Sequence, residues 1–365
     1  MRIAYVTLHW PRTRESGVGK KIQSQLGAWM AMGHEARLFM HASQYEPQSD
    51  LIEAEYFFYS SAGKIKTELD RIRAAQRMVA AVRAFHPDVI YLRYSIYVYP
   101  AHLLMSIAPV VEEINTNDLT QHEGLGSIYS LYNQLTRGIF LRRIRGLVAV
   151  SRELAVDPAF TIYKKPTVVI SNGIDLHATE PLPAPGNMKP HLFFIATPGY
   201  SWHGVDHLVQ LALQCPDLVI DVVGYDRIEN VVVVPGNIHL HGYLSAAAYK
   251  KVLADADVAV STLALYRKKM EEASPLKVRE CLAYGLPSIL AYVDTDLHNL
   301  DCDFLLKIPN REDNIKTHHA AIHEFAYQMM GKRADRALLT GRIDSSLKER
   351  QRLDFFERII RMSVK

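Results

Sequence analysis

Cysteine is scarce in this sequence. Cys215, Cys281 and Cys302 form an odd, scattered set without metal-ligand spacing. That excludes a disulfide framework and a cysteine metal site, and it reads as reduced core thiols in a cytoplasmic protein. Charge of one sign is lacking too. The net charge is only +3 over 365 residues, too little for wholesale nucleic-acid binding. A long apolar run is absent. The longest uncharged stretch, Tyr94 to Val111, contains Pro100 and Pro109 and fits a loop, short helix and strand better than a membrane span. The start, Met1-Arg-Ile-Ala-Tyr-Val-Thr-Leu8, is too short and too β-branched for a signal peptide. Two phosphate-binding signatures are missing. After the first strand comes Gly17-Val-Gly19, but Ile22 stands where a third glycine would be, and no Ser or Thr follows Gly19-Lys20.

What is present is the balance of a water-soluble α/β protein, 48% hydrophobic and 22% charged, long enough for two domains. Arg2–Leu8 reads as a buried strand, followed by a glycine-rich turn, a helix with Ile22, Leu26, Trp29 and Met30 at helical spacing, and a strand over Ala36–Met40. This is a parallel α/β unit. Lys64–Phe85 is a long amphipathic helix, and Pro87–Arg93 and Pro109–Ile114 are strands. Asn115-Thr-Asn-Asp118 is the exit loop of the second, the place where open α/β sheets bind ligands. Ser127–Arg145 reads as a helix ending in a basic cluster, Arg137 to Arg145. The stretch from His177 to Pro190 holds four prolines and a glycine and has linker composition. A second α/β series follows from Leu192.

The second series leads to the most informative stretch, Glu272-Ala-Ser-Pro-Leu-Lys-Val-Arg-Glu280, with Gly285 and Pro287 closing its helix. Ser274 reads as N-cap and Pro275 as the first helical residue, which leaves Glu272 on the preceding loop. Lys277 and Arg279 then stand in the early turns, where the helix dipole disfavours cations. An anion at the helix start, such as a diphosphate, removes that conflict.

This stretch resembles the Glu-x7-Glu motif of family-four retaining glycosyltransferases. The resemblance covers nearly the whole chain and is most specific between Asn237 and Tyr292. It implies two Rossmann-like domains facing a central cleft (GT-B), with a last helix able to cross back to the first domain. The divisions expected are 1–176, an acceptor-side domain; 177–190, a linker; 191–344, a nucleotide-sugar domain; and 345–365, the last helix. It further implies that Glu272 contacts the donor sugar and Glu280 the ribose, with Ser274, Leu276 and Lys277 around the donor between them. Gly17 and Gly19 match a glycine loop facing the donor diphosphate, although the plain reading is a strand-to-helix turn. Gly242 and Tyr243 match a turn near the nucleotide base. His203, before Gly204-Val-Asp206, stands where family members carry a lysine, and the arginine usual in that loop is missing. Asn115 holds the place of a histidine credited with a role at the reaction centre. Glu272, Lys277 and Asn115 are therefore the candidate catalytic set.

The expected function is transfer of a sugar, with retention, from a nucleotide-diphosphate sugar to a glycan, lipid-linked or small-molecule acceptor, as in cell-surface polysaccharide synthesis. No metal or other cofactor is expected; Asp294-Thr-Asp296 has metal-motif spacing but reads as a turn. A GT-B epimerase or phosphorylase, or a non-catalytic sugar-nucleotide-binding subunit, stays open. The basic cluster at Arg137–Arg145 is a candidate for peripheral contact with acidic lipid at the inner membrane surface, against the plainer reading of a solvated helix face.

Overall fold

Short runs of Val, Ile, Leu and aromatic residues, buried on both faces, recur between amphipathic helices, and such runs form parallel sheets. In a computed structural model that describes residues 1–9, 17–43, 54–60, 63–123 and 127–363, they form two of them. The chain divides into unit 1, Met1–Ser171 with Ser345–Lys365, and unit 2, Asn172–Asp344.

Unit 1 holds strands β1 (Arg2–Thr7), β2 (Glu35–Ala42), β3 (Ala54–Phe58), β4 (Val89–Arg93), β5 (Val110–Ile114), β6 (Gly146–Ala149) and β7 (Thr167–Val169). They pair in parallel in the order β3-β2-β1-β4-β5-β6-β7. Tyr5 and Tyr91 point from adjacent strands onto Trp29 of the helix Gly17–Ala31. The helix Ser345–Ser363 closes the same cluster: Phe356 packs edge-on against Trp29, and Trp29 Nε1 donates to Glu349 Oε2 at 2.8 Å. The last helix thus belongs to the core of the first unit, fixed by apolar burial and by one satisfied indole N–H.

Unit 2 holds β8 (His191–Ile195), β9 (Val219–Val223), β10 (Ile238–Leu240), β11 (Val258–Val260), β12 (Glu272–Ala273), β13 (Ser288–Leu290), β14 (Val293–Asp294) and β15 (Leu305–Lys307). Its main sheet runs β10-β9-β8-β11-β13-β15, and β12 pairs separately with β14. The proline-rich stretch is tied to this unit. Leu182 N donates to Tyr284 O at 2.9 Å, and the Arg333 guanidinium donates to the carbonyls of Leu182, Pro183, Ala254 and Ala256.

In both sheets the chain starts in the middle, builds outward one way, then returns to build the other way. Each therefore has a switch point, between β1 and β4 in unit 1 and between β8 and β11 in unit 2. Loops leaving the carboxyl ends of the strands diverge there and leave room for a ligand.

Candidate active site

In unit 2 the loops after β8 and β11 flank the switch point. The first makes a tight turn over Ser201–His203 and enters the helix Val205–Gln214 through Gly204, at φ 74°. A Cβ at Gly204 would lie 2.9 Å from Leu263 Cβ and 3.1 Å from Ala264 N, so only glycine allows this approach. The two loops are zipped there: Leu263 N donates to His203 O at 3.1 Å and Ala264 N to Trp202 O at 3.3 Å.

Three side chains gather around this contact. Lys277, in the first turn of the helix Leu276–Ala283, donates to Ile195 O at 3.2 Å and lies 5.0 Å from the centre of the Phe194 ring. Lys268 Nζ sits 4.9 Å from the centre of the Trp202 ring. Neither lysine has a carboxylate partner among the described residues, and burial pushes both ammonium groups down to about 8. His203 is pushed down to about 3, by burial first and then by Lys277 and Lys268, so its imidazole is neutral. Its Nδ1 is buried without a hydrogen-bond partner among the described residues. Two desolvated cations and an unfilled imidazole nitrogen with no acid between them favour an anion.

The Glu-x7-Glu stretch differs from expectation in three ways. Glu272 is not on a loop: it forms β12 with Ala273 and is buried. Pro275, in extended conformation at ψ 133°, is the N-cap in place of Ser274. The Ser274 hydroxyl oxygen instead accepts from Asn172 N and from Arg279 Nη2, both at 2.9 Å. Arg279 is the third difference. It is fully buried, donates twice to Asp294 at 2.8 Å, once to Asp296 at 2.9 Å, and from Nε to Asn172 O at 2.9 Å. Its charge is neutralised within the protein, so only Lys277 supports the inference of a bound anion. Asp294-Thr-Asp296 is the anchor of that guanidinium. Leu276 opens the helix, and Glu280, half-buried, accepts from Tyr249 Oη at 3.3 Å. Glu271 is exposed and accepts from Asn310 Nδ2 at 3.0 Å.

Gly242 stands at φ 60°, just past β10. A Cβ there would fall 2.1 Å from Asp226 Oδ1, which explains glycine at this turn. Tyr243 beside it is 75% exposed, a free aromatic face at the same strand edge.

In unit 1 Asn115 follows β5, and both ends of its amide are engaged. Oδ1 accepts from Lys21 Nζ at 3.2 Å and Nδ2 donates to Glu113 Oε2 at 3.1 Å. Glu113, fully buried, also receives Lys21 Nζ at 2.8 Å, Tyr91 Oη at 2.9 Å and Arg93 Nη1 at 3.1 Å. Burial alone would raise its carboxyl, but Lys21, Arg93 and Arg352 outweigh it and hold it well below the usual range. A cavity of about 450 Å³ opens beside this network at the β1/β4 switch point, lined by His9, Tyr59, Arg71, Arg93, Tyr94 and Asn115 among others. Gly17 opens the helix Gly17–Ala31 and Gly19 lies buried in its first turn. The expected glycine loop is therefore helical from Gly17 on, and residues 10–16 lie outside the described ones. Arg137 is not part of a surface cluster: it donates from Nε and Nη2 to buried Asp118 at 2.8 and 2.9 Å.

Sequence reasoning missed Lys268. The signal was the run Arg267-Lys-Lys269 just before the glutamate pair. Only the fold separates the three, since Arg267 is spent on Asp206 at 2.8 and 2.6 Å and Lys269 turns through a left-handed backbone at φ 54°. Among the described residues no group of three His, Cys, Asp or Glu could hold a metal ion, and no helix is long and apolar enough to cross a membrane.

The family model Glycosyltransferase Family 4 matches residues 16–178. A search of curated proteins finds no match. Among solved structures, a sucrose-phosphate synthase from Thermosynechococcus elongatus is similar at 14% identity and TM-score 0.66, covering 99% of each chain. Alr3699/HepE of Anabaena, solved with UDP-glucose, is similar at 15% identity and TM-score 0.65, covering 98% of this chain and 100% of that one. WaaG, a glycosyltransferase involved in lipopolysaccharide biosynthesis, gives 12% identity and TM-score 0.61, covering 96% and 95%. The fold shared with them is GT-B, two Rossmann-like domains.

Proposed function

We propose that this chain, which has the GT-B fold and matches the Glycosyltransferase Family 4 model over residues 16–178, is a family-four glycosyltransferase that transfers a hexose, with retention, from a nucleotide-diphosphate sugar to a glycan, lipid-linked or small-molecule acceptor. The observation that carries the reading is the cationic, acid-free site at the unit 2 switch point, flanked by Glu272 and Glu280 on either side of Lys277. The difficult step is cleavage of the bond between the anomeric carbon and the diphosphate oxygen. Negative charge develops on that oxygen, and preorganised cations there lower the barrier. Lys277 takes this role, with His203 as a neutral hydrogen-bonding partner of the phosphates. Glu272 holds sugar hydroxyls and Glu280 the ribose diol, since a carboxylate can accept from two neighbouring hydroxyls. Ser274 and Leu276 shape the turn between them, and Gly242 and Tyr243 border the base.

The acceptor side of this reading is the unit 1 cavity. Asn115 acts there as a positioning group held by Lys21 and Glu113, because a carboxamide donates and accepts hydrogen bonds but does not titrate. No metal takes part, so turnover persists in chelator. UDP-glucose is the first donor to test, as the compound bound by one of the similar structures. Release of nucleoside diphosphate with a labelled donor panel tests transfer, and the anomeric configuration of the product tests retention. Binding of every donor without turnover over a broad acceptor panel would favour the non-catalytic reading, and an altered free sugar nucleotide would favour an epimerase.

The chain works against an anionic membrane surface. The helix Ser127–Leu141 exposes Ile128, Leu131 and Leu135, three and four residues apart on one face. From Ser127 to Val150 there is no acidic residue, and exposed Arg142, Arg143 and Arg145 follow the helix. The apolar face that the basic cluster lacked on sequence is supplied by this helix, and the pair matches an interfacial helix on acidic lipid.

A further inference from the structure

The loop after β8 lacks the arginine that would face a diphosphate, yet the site around it is not short of charge. We propose that Lys268, from the loop after β11, is a second diphosphate-binding cation of this protein, reaching the site of Lys277 and His203 from the other side of the switch point. This rests on the donor reading above and assigns a residue to it.

The geometry is built rather than incidental. Gly204 lets the loop after β8 approach the 263–264 backbone to within contact, and two backbone hydrogen bonds lock the loops together. The tight turn Leu265–Lys268 therefore sits against the turn Ser201–His203. Lys268 Nζ lies over the Trp202 ring, 4.9 Å from its centre. A cation over an indole face keeps part of its stabilisation while losing water. No carboxylate meets it among the described residues, whereas its neighbour Arg267 has a bidentate partner in Asp206. The His203 ring lies 6.0 Å from that of Trp202, so Lys268 over Trp202 stands beside the imidazole, and Lys277 and Lys268 both help to hold that imidazole's pKa down. A half-buried lysine over an aromatic ring, with no carboxylate partner among the described residues and beside an unfilled imidazole nitrogen, is stabilised by an incoming anion with several oxygens. One phosphate would satisfy Lys277; two ammonium groups, one from the start of the helix Leu276–Ala283 and one from the loop after β11, suit the two phosphates of a nucleoside diphosphate.

The test is calorimetric binding of UDP, ADP and GDP, then of the best nucleotide's monophosphate and nucleoside, to the full chain and its variants. Lys268→Met keeps the stem on Trp202 and removes the charge, so the loop packing survives. Lys268→Arg keeps the charge. Lys251→Ala, on the exposed face of the helix Ala246–Asp255, makes the same change in net charge away from the site. Loss of a charged hydrogen bond predicts diphosphate affinity about ten- to a hundredfold weaker in Lys268→Met. Nucleoside affinity should stay unchanged, Lys268→Arg should restore most of the loss, and Lys251→Ala should show none. Raising salt should shrink the difference. If the unaltered protein binds none of the three diphosphates, the donor reading itself fails. If it binds one and Lys268→Met binds it equally well, or loses nucleoside and diphosphate alike, Lys268 is not a phosphate ligand.

Discussion

Arg279 lies inside the glutamate motif, and its removal separates a structural cation from a ligand-binding one. Its guanidinium makes two hydrogen bonds to Asp294, one to Asp296, one to the Ser274 hydroxyl and one to Asn172 O, with no solvent exposure. Arg279→Leu leaves Asp294 buried without its cation. Removing one partner of such a pair costs about 3–5 kcal/mol. For a unit of this size each kcal/mol lowers the melting temperature by about 2–4 °C, so a drop of roughly 6–20 °C is expected. Calorimetric melting of the full chain reads it as a shift of one transition, and nucleotide affinity measured well below that transition should change little. The double variant Arg279→Leu/Asp294→Leu should recover a large part of the loss, because the buried charge goes with its partner. An unchanged melting temperature together with lost nucleotide binding would refute the clamp and return Arg279 to the phosphate site.

Glu272→Gln should lower sugar transfer about ten- to a hundredfold with little change in nucleoside diphosphate affinity, while Glu280→Gln weakens that affinity itself. Silence of Glu272→Gln combined with loss in Glu271→Gln would reassign the sugar contact to the exposed neighbour. Sedimentation with vesicles containing anionic lipid should retain the protein at low salt, and serine at Ile128, Leu131 and Leu135 together should release it at least tenfold; equal retention on neutral vesicles would remove the basic residues from the account. Glu112 is fully buried without a hydrogen-bond partner among the described residues, and burial, with Asp118 adding to it, pushes its carboxyl from 4.5 up to about 8. Between those values the folded state holds a proton that the unfolded chain has lost, so stability falls as pH rises, by up to about 1.4 kcal/mol per pH unit. Urea midpoints at pH 5, 6.5 and 8 should diverge between the protein and Glu112→Gln, in favour of the variant at pH 8; parallel curves would show that Glu112 is already hydrated.

The two α/β series were legible because their strands are short apolar runs set between amphipathic helices, and local pattern carries that information. Ile3 to Val6 or Leu192 to Phe194 can hardly be anything but buried strand. The last helix was also legible, since Phe355, Phe356 and Ile359 give it a docking face. The family resemblance implied a return to the first domain, but the seat on Trp29 was not legible, because Trp29 and Glu349 lie 320 positions apart and their hydrogen bond leaves no local trace. The helix start at Pro275 was misread by one residue for the same reason. Ser274 is the better N-cap by intrinsic preference, but Arg279 and Asn172 claim its hydroxyl, and tertiary contacts outweigh a cap of about 1 kcal/mol.

Charges show the limit most clearly. Sequence places cations but does not say which of them are already paired. Arg279 and Arg137 both looked available, one for an anion and one for a lipid surface, and both are buried on aspartates from other elements. Lys268 stands in the basic run Arg267–Lys269 and has no acid partner among the described residues, whereas Arg267 is paired with Asp206. The same arithmetic applies to Asn115, which replaces a histidine at a strand exit. Its value depends on whether an end of its amide is spare, and Lys21 and Glu113 occupy both ends. Glu113 stands two residues earlier at the end of β5, but Lys21 comes from the helix after β1, 94 positions away. A polar residue at a strand exit therefore marks a candidate site by position alone, whereas its chemistry is decided by partners that only the sheet order brings within 3 Å or so. The spacing of Glu272 and Glu280 is visible within one short stretch of sequence, whereas the pairing of the cations around them shows only once their aspartates are found in space.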